Sequence, residues 1–339
     1  MLLDSFFTIP VASAHEVYVL SGKVIADVVA NPSPNPFSAV SDHLGEFVEW
    51  GFFVAVGLFI IGLLAYSKTV SQIFNPLLHR LKPIAHFVAR ITLGASLFAS
   101  GYYQAFFGPE LSFKQDFLPA IEPFVAVIFM GLGIFIMLGI MTRVCTLIGL
   151  VFFGMAVAMY HSYMLTYVNY CGELLLLLIL GSGSWALDNH HPHLRLLDKQ
   201  FRHLHRIFEK YGFFILRVLF GIALIYASMY AKFFHSNLAL DTVNDFHLTQ
   251  YFPFAPLFLV LGSFIIEFLI GLSFIIGFGI RFMSVFFLCF LILSLMHFGE
   301  AVWPHIILIG VAAVLFLHGY DKYTIMMYLP KRHGEEPVV

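Results

Sequence analysis

Long apolar runs broken by short polar turns set the rhythm of this chain. Windows of roughly 20 apolar residues, enough to cross a bilayer as a helix, recur about nine times. They fall near 48–66, 84–107, 122–142, 144–162, 170–187, 213–235, 254–279, 282–299 and 302–319. Between them the cations sort to alternate turns. Lys68, Arg80, Lys82, Arg143, Arg195, Lys199, Arg202, Arg206, Lys210, Arg281, Lys322, Lys331 and Arg332 fall on one side, against Lys23 and Lys114 on the other. The positive-inside rule then places the N-terminus outside and the C-terminus inside. The predicted fold is an all-α polytopic membrane protein, with two parallel four-helix transmembrane bundles behind one extra N-terminal span.

The two bundles are predicted from an internal repeat. Arg90-Ile-Thr-Leu-Gly94 matches Arg217-Val-Leu-Phe-Gly221, Gly139-Ile-Met-Thr-Arg143 matches Gly277-Phe-Gly-Ile-Arg281, and each stretch closes on an aspartate, Asp188 or Asp321. A period of this length is too long for a solenoid unit. Four crossings per copy is an even number, so the copies insert in the same orientation, related by an axis along the membrane normal.

The chain therefore divides into a signal remnant and outer segment (1–47), a first span and inner loop (48–83), a first repeat (84–189), a linker (190–212), a second repeat (213–322) and an inner tail (323–339). In the outer segment Ala12-Ser13-Ala14 reads as a signal cleavage site, and cleavage there makes His15 a weak chelating terminus. In the linker, Leu194, Leu197, Phe201, Leu204 and Phe208 take one helical face and Arg195, Lys199, Arg202 and Arg206 the other, the pattern of an interfacial helix on an anionic leaflet.

Composition agrees with the class and narrows the chemistry. The 339 residues are 60% hydrophobic and 11% charged, with 40 Phe and a mean hydropathy of +0.88. No basic run interleaved with aromatics points to nucleic acid. Cys145, Cys171 and Cys289 are too far apart for CxxC chemistry and read as small hydrophobes. P-loop, HExxH and CxxCH motifs are absent.

Charged residues inside spans are the default functional candidates, because each is costly in hydrocarbon. Glu267 lies near the middle of the seventh span, and Lys232, near the outer end of the sixth, is its nearest candidate partner. Arg217 stands about 22 Å from Lys232 along the same helix. A buried tie between helices and a proton- or ligand-handling pair are both open for Lys232 and Glu267. Arg90 and Arg217 are expected to snorkel to the headgroups, and Arg143 and Arg281 to fix topology at tight inner turns. His297, Glu300 and His305 gather at the outer face as candidate metal ligands, or as the lining of a wet vestibule. The inner histidines His190, His191, His193, His203 and His205 read as a solvated linker.

In order and spacing, Arg217 with Gly221, Lys232, Glu267 with Gly271, Gly277-Phe-Gly-Ile-Arg281, the His297 region and Gly319-Tyr-Asp321 resemble the DoxX/DoxD family of four-helix membrane proteins. The resemblance covers about 85–321. The first copy departs from it, with Ala105 (beside Gln104) aligning to Lys232 and Phe129 to Glu267. The resemblance implies a membrane subunit or accessory of a quinone-linked redox system acting on sulfur anions. Quinone would be the cofactor, Glu267 and Lys232 the catalytic residues, a redox subunit the partner, and the cell (inner) membrane the location. A transporter or small-molecule binder, and a non-catalytic scaffold for a partner, remain alternatives.

Overall fold

The computed structural model describes residues 31–65, 68–113, 120–183, 185–190, 200–201, 205, 207–298, 302–321 and 323–325. His15, most of the linker helix, Glu300 and the inner tail lie outside the described residues. The architecture is all-α. Helices α1 (Ser38–Asp42), α2 (Leu44–Ala65) and α3 (Lys68–Leu81) precede the bundle. The first half contains α4 (Ile84–Tyr102), α5 (Glu122–Leu138), α6 (Thr142–Tyr160) and α7 (Val168–Leu180). The second contains α8 (Gly212–Ser228), α9 (Ser236–Asp245), α10 (Pro256–Ile276), α11 (Ile280–Phe298) and α12 (Ile306–His318).

Every predicted run falls on a helix. Five helical segments among the described residues are long and apolar enough to span a membrane: Ile84–Tyr102, Thr142–Leu180, Gly212–Phe234, Pro256–Ile276 and Ile280–Phe298. The predicted fourth and fifth spans are α6 and α7, which join through a 3-10 turn at His161–Tyr167 and fold back on each other, so that Arg143 at the start of α6 reaches the Leu178 carbonyl at the end of α7. Glu122–Leu138 and Trp303–His318 are apolar but shorter. Helix α3, predicted as loop, is amphipathic. It exposes Ile73, Phe74 and Leu77 and ends on His79 and Arg80, suiting a helix that lies along the membrane surface.

The halves interlock rather than stand side by side. In each, the first helix packs on the second (α4 on α5, α8 on α10) and the third on the fourth (α6 on α7, α11 on α12). The fourth helix of each half then packs on the first helix of the other, α7 on α8 and α12 on α4. One apolar core runs through both halves, from Ala85 and Leu93 to Val311 and Leu315. The outer faces of α5, α6, α10 and α11 expose Phe124, Val151, Leu269 and Leu293, as lipid-facing helices do.

Close helix approach rests on small residues, as expected where packing replaces hydrophobic drive. A Cβ at Gly94 would stand 2.7 Å from the Gly133 carbonyl oxygen, and one at Gly221 would stand 2.5 Å from that of Gly271. The four arginines anchor the opposite ends of these helices, and here the snorkelling expectation is overturned. Arg90 and Arg217 are each 1% exposed, because helix-end carbonyls recruit them inward. Arg90 donates to the Ser182 and Trp185 carbonyls at 2.7 and 2.9 Å. Arg217 donates to the carbonyls of Phe274 and Ile275 at the end of α10 and pairs with Asp321 at 3.3 Å. Arg143 donates to Leu178 and Ile179, and Arg281 to Phe316, at the ends of α7 and α12. Gly277 and Gly319 end α10 and α12 at φ of +79° and +75°, where a side chain would also strike the guanidinium of Arg217 or Arg281. Gly139 and Gly181 repeat this in the first half.

Two outcomes follow. Arg217→Met should lower the unfolding free energy by about 3 kcal/mol, because it strands buried Asp321 and two carbonyls. A thermal midpoint in detergent equal to the parent's would show the tie to be dispensable. Gly221→Val should cost about 1–3 kcal/mol by forcing α8 from α10, checked by the same melt.

Candidate functional site

Helix α8 does not end cleanly. Its last turn widens into a π-helical segment at Met229–Phe234, and Lys232 lies in that segment, 7% exposed. Such π segments occur often at functional sites. Helices α8 and α10 run antiparallel, since Gly221 meets Gly271 and the Ser228 hydroxyl donates to the Phe264 carbonyl at 3.2 Å. Along the axes, Lys232 and Glu267 are about 10 Å apart at 1.5 Å per residue. Side chains lean toward their own helix N-terminus, so in this antiparallel pair the two lean toward each other. The Lys232 ammonium donates to Glu267 Oε2 at 2.9 Å, with the side chains 9% and 12% exposed.

The pair lies on the floor of a cavity of about 530 Å³ bounded by α8, α9, α10 and α11. Leu224, Leu259, Val260, Phe287, Phe290 and Leu291 make most of its lining apolar. Thr242, Ser263, Ser294, Tyr251 and His297 supply the other polar groups. Tyr251 and His297 are exposed and mark the mouth, their rings 5.3 Å apart and perpendicular. An apolar cavity with a few convergent polar groups is the usual form of a small-molecule site.

The other candidates are placed as follows. His297 lines the cavity, whereas His305 is wholly buried in the turn before α12 and does not line it. Glu300 lies outside the described residues. Among the described residues no three His, Cys, Asp or Glu side chains converge as a metal site. Arg217, considered as an alternative partner for Glu267, is held by Asp321 at the far end of α8. The cysteines are free thiols, Cys145 being buried.

Several cavity residues escaped the sequence reading. Ser263 is one turn before Glu267, and Phe287, Phe290, Leu291, Ser294 and His297 recur at helical spacing, so both faces were present in the pattern. Helix α9 falls between the predicted spans, and its Leu238, Ala239, Thr242 and Val243 share one buried face. The Pro-rich outer segment is pinned beside this site, with the Ser236 hydroxyl donating to the Pro34 carbonyl at 2.5 Å and Asn237 to that of Pro32 at 3.0 Å.

Among the described residues, the matching place in the first half is packed with side chains. Ala105 and Phe129 are 2% and 1% exposed, and Phe129 packs against the rings of Phe106, Phe107, Phe113 and Phe152 at 5.0–6.0 Å between centroids. Phenylalanine fills the volume that the second half leaves open.

Together these features define a multi-pass membrane protein with an ion pair in a largely apolar cavity between helices. Compared with protein families, residues 212–300 match the DoxX family, a stretch that holds Lys232, Glu267 and His297. No second match falls on 84–189, so the expected tandem copy is not found by this comparison. No curated protein and no solved structure matches the chain.

The pair itself yields a test. Lys232→Met and Glu267→Gln should each destabilise by about 3 kcal/mol, since each leaves one buried group without its partner. The double variant should lose clearly less than the sum. Additive losses in a denaturation cycle would mean that the two side chains do not interact.

Proposed function

We propose that this protein binds a membrane-dissolved, ring-bearing molecule of the quinone class in the α8–α11 cavity and serves a quinone-linked redox system. The observation that carries the proposal is the Lys232–Glu267 pair on the floor of an otherwise apolar cavity. Phe252, Phe287, Phe290 and Phe298 offer rings to a planar headgroup. The hydroxyls of Ser263 and Thr242 donate to the Val260 and Leu238 carbonyls at 2.9 and 3.1 Å and would turn from them to reach a headgroup oxygen. In this reading Glu267 gives and takes the proton that quinone reduction requires, and Lys232 holds its charge and attracts an anionic donor such as an oxidised sulfur species. In this reading electrons come from a partner subunit.

In the same reading the first half is a diverged copy of the module, and the chain crosses the inner membrane nine times, N-out and C-in. Support comes from the paired arginine ties and glycine contacts, and from the reciprocal packing of α7 on α8 and α12 on α4. The exposed apolar faces support a bilayer setting.

The test is quinone titration of the protein in liposomes, followed by quenching of intrinsic fluorescence and then by reduction with a panel of sulfur-anion donors. Saturable binding is expected, weakened about tenfold or more, about 1.4 kcal/mol or more, by Glu267→Gln and by the cavity-filling Ser263→Phe. Circular dichroism should stay unchanged in both variants. Binding that is absent, or equal in parent and variants, would sink the proposal.

A further inference from the structure

The second half carries its buried acid on α10. The first half carries one too, on a different helix. Glu173 in α7 is 0% exposed, and the matching position on α12 is Val311. Neither carboxyl oxygen of Glu173 has a hydrogen-bond partner among the described residues. The same holds for the amide atoms of Asn169, one turn earlier, and for the hydroxyls of Thr166 and Ser100. Unpaired polar atoms at this density are rare inside proteins, and they are gathered on α4, α7 and the turn between α6 and α7.

These groups form a track. Glu110 lies in the loop after α4, at the end of the bundle opposite the arginines. Tyr163 donates to its Oε1 at 2.9 Å and Tyr167 donates to the same oxygen, while burial pushes the Glu110 carboxyl above the usual range. Tyr167, Thr166 and Asn169 then line a cavity of about 30 Å³, closed from the second half by Ala223, Ala227 and Ile307. That volume holds a water molecule, which needs roughly 10–15 Å³. Glu173 follows one helical turn beyond Asn169, and the Tyr170 hydroxyl, facing Ser96, feels both Glu173 and Glu110.

The surroundings of Glu173 are otherwise without charge. From α8, Leu216 and Leu219 press on the neighbouring Gly172, and Leu224 and Ala227 close the water-sized cavity. Helix α12 adds Ile307 and Leu308, α6 meets α7 through Gly149 against Leu174, and α4 presents Ser96 and Ser100. Tyr170, on the same helix, is the titratable group facing Glu173, with Glu110 beyond it. Among the described residues no charged side chain on α4, α6, α8 or α12 sets its field.

We propose that Glu173 is a proton-binding site at the interface of the two halves, filled and emptied from the outer face through Glu110, Tyr167 and the water-sized cavity at Asn169. A hydronium ion in outer water gives up its proton, the Glu173 carboxylate becomes a carboxylic acid, and the reverse step returns the proton to water. Among the described residues the Glu173 carboxylate is buried with no hydrogen-bond partner, and a proton removes its charge. Leu224 and Ala227 wall both cavities, yet the proposal stands whatever occupies the larger one.

Infrared spectroscopy of the full chain in liposomes tests it. A protonated-carboxyl carbonyl band is expected in the parent, lost in Glu173→Gln and displaced in Glu173→Asp, the second variant guarding against misfolding of the first. Tyr167→Phe should keep the band but slow its hydrogen–deuterium exchange about tenfold or more. A band absent from the parent, or unchanged in both Glu173 variants, overturns the site. Unchanged exchange in Tyr167→Phe overturns the route. Loss of the band on adding sodium at fixed pH would mark a cation site and overturn the proton.

Discussion

A helix that ends near hydrocarbon leaves its last carbonyls without water to bond them, and a bundle of such helices must supply partners from within. Four arginines meet that requirement here. Arg217 closes the end of α10, Arg143 that of α7 and Arg281 that of α12, while Arg90 gathers the loop beyond α7. The guanidinium suits the task because its fork of donors reaches two carbonyls at once and keeps its charge at any ordinary pH. Glycines in left-handed conformation at the same ends make room for it. Once these ends are fixed, the glycine crossings set how closely α4 meets α5 and α8 meets α10. The position of Lys232 relative to Glu267 follows from that second crossing.

On this shared frame the halves carry different interiors. Where the first half packs Phe106, Phe107, Phe113 and Phe129 into a solid aromatic cluster, the second opens a cavity around an ion pair. Where the second half places Val311, the first places Glu173. The frame tolerates both because it is held by the arginine ties and the glycine contacts, none of which uses the side chains of Phe129, Glu267, Glu173 or Val311. Each half thus holds a carboxyl at a level where the other holds hydrocarbon.

Much of this was legible in the residues, and the reasons for the rest are physical. Apolar run length located each helix, but the 3-10 turn that joins the runs at 144–162 and 170–187 leaves no mark in hydropathy. The pairing of Lys232 with Glu267 was readable because an acid in hydrocarbon needs a partner and few cations were in reach. Arg90 and Arg217 were misjudged, since position near an interface suggests snorkelling, while the carbonyls that draw them inward lie far away in sequence. The cavity itself depends on α9 and on the π turn, neither of which leaves a distinct local signature. The residues that line it nevertheless recur at helical spacing on α10 and α11.

The first half also bears on why Lys232 and Glu267 are there. A desolvated ion pair is a poor stabiliser, because removing two charges from water costs most of what their attraction returns, and well-packed apolar side chains do as well or better. Ala105 and Phe129 stand at the matching positions in a half that folds around the same arginine and glycine contacts, with a filled core in place of the pair. The frame therefore does not need the pair to form. In the second half the charges come together with a π turn and an unfilled volume, each of which forgoes packing. A purely structural tie would explain the pair but not the cavity beside it. A ligand that uses both explains the three features together.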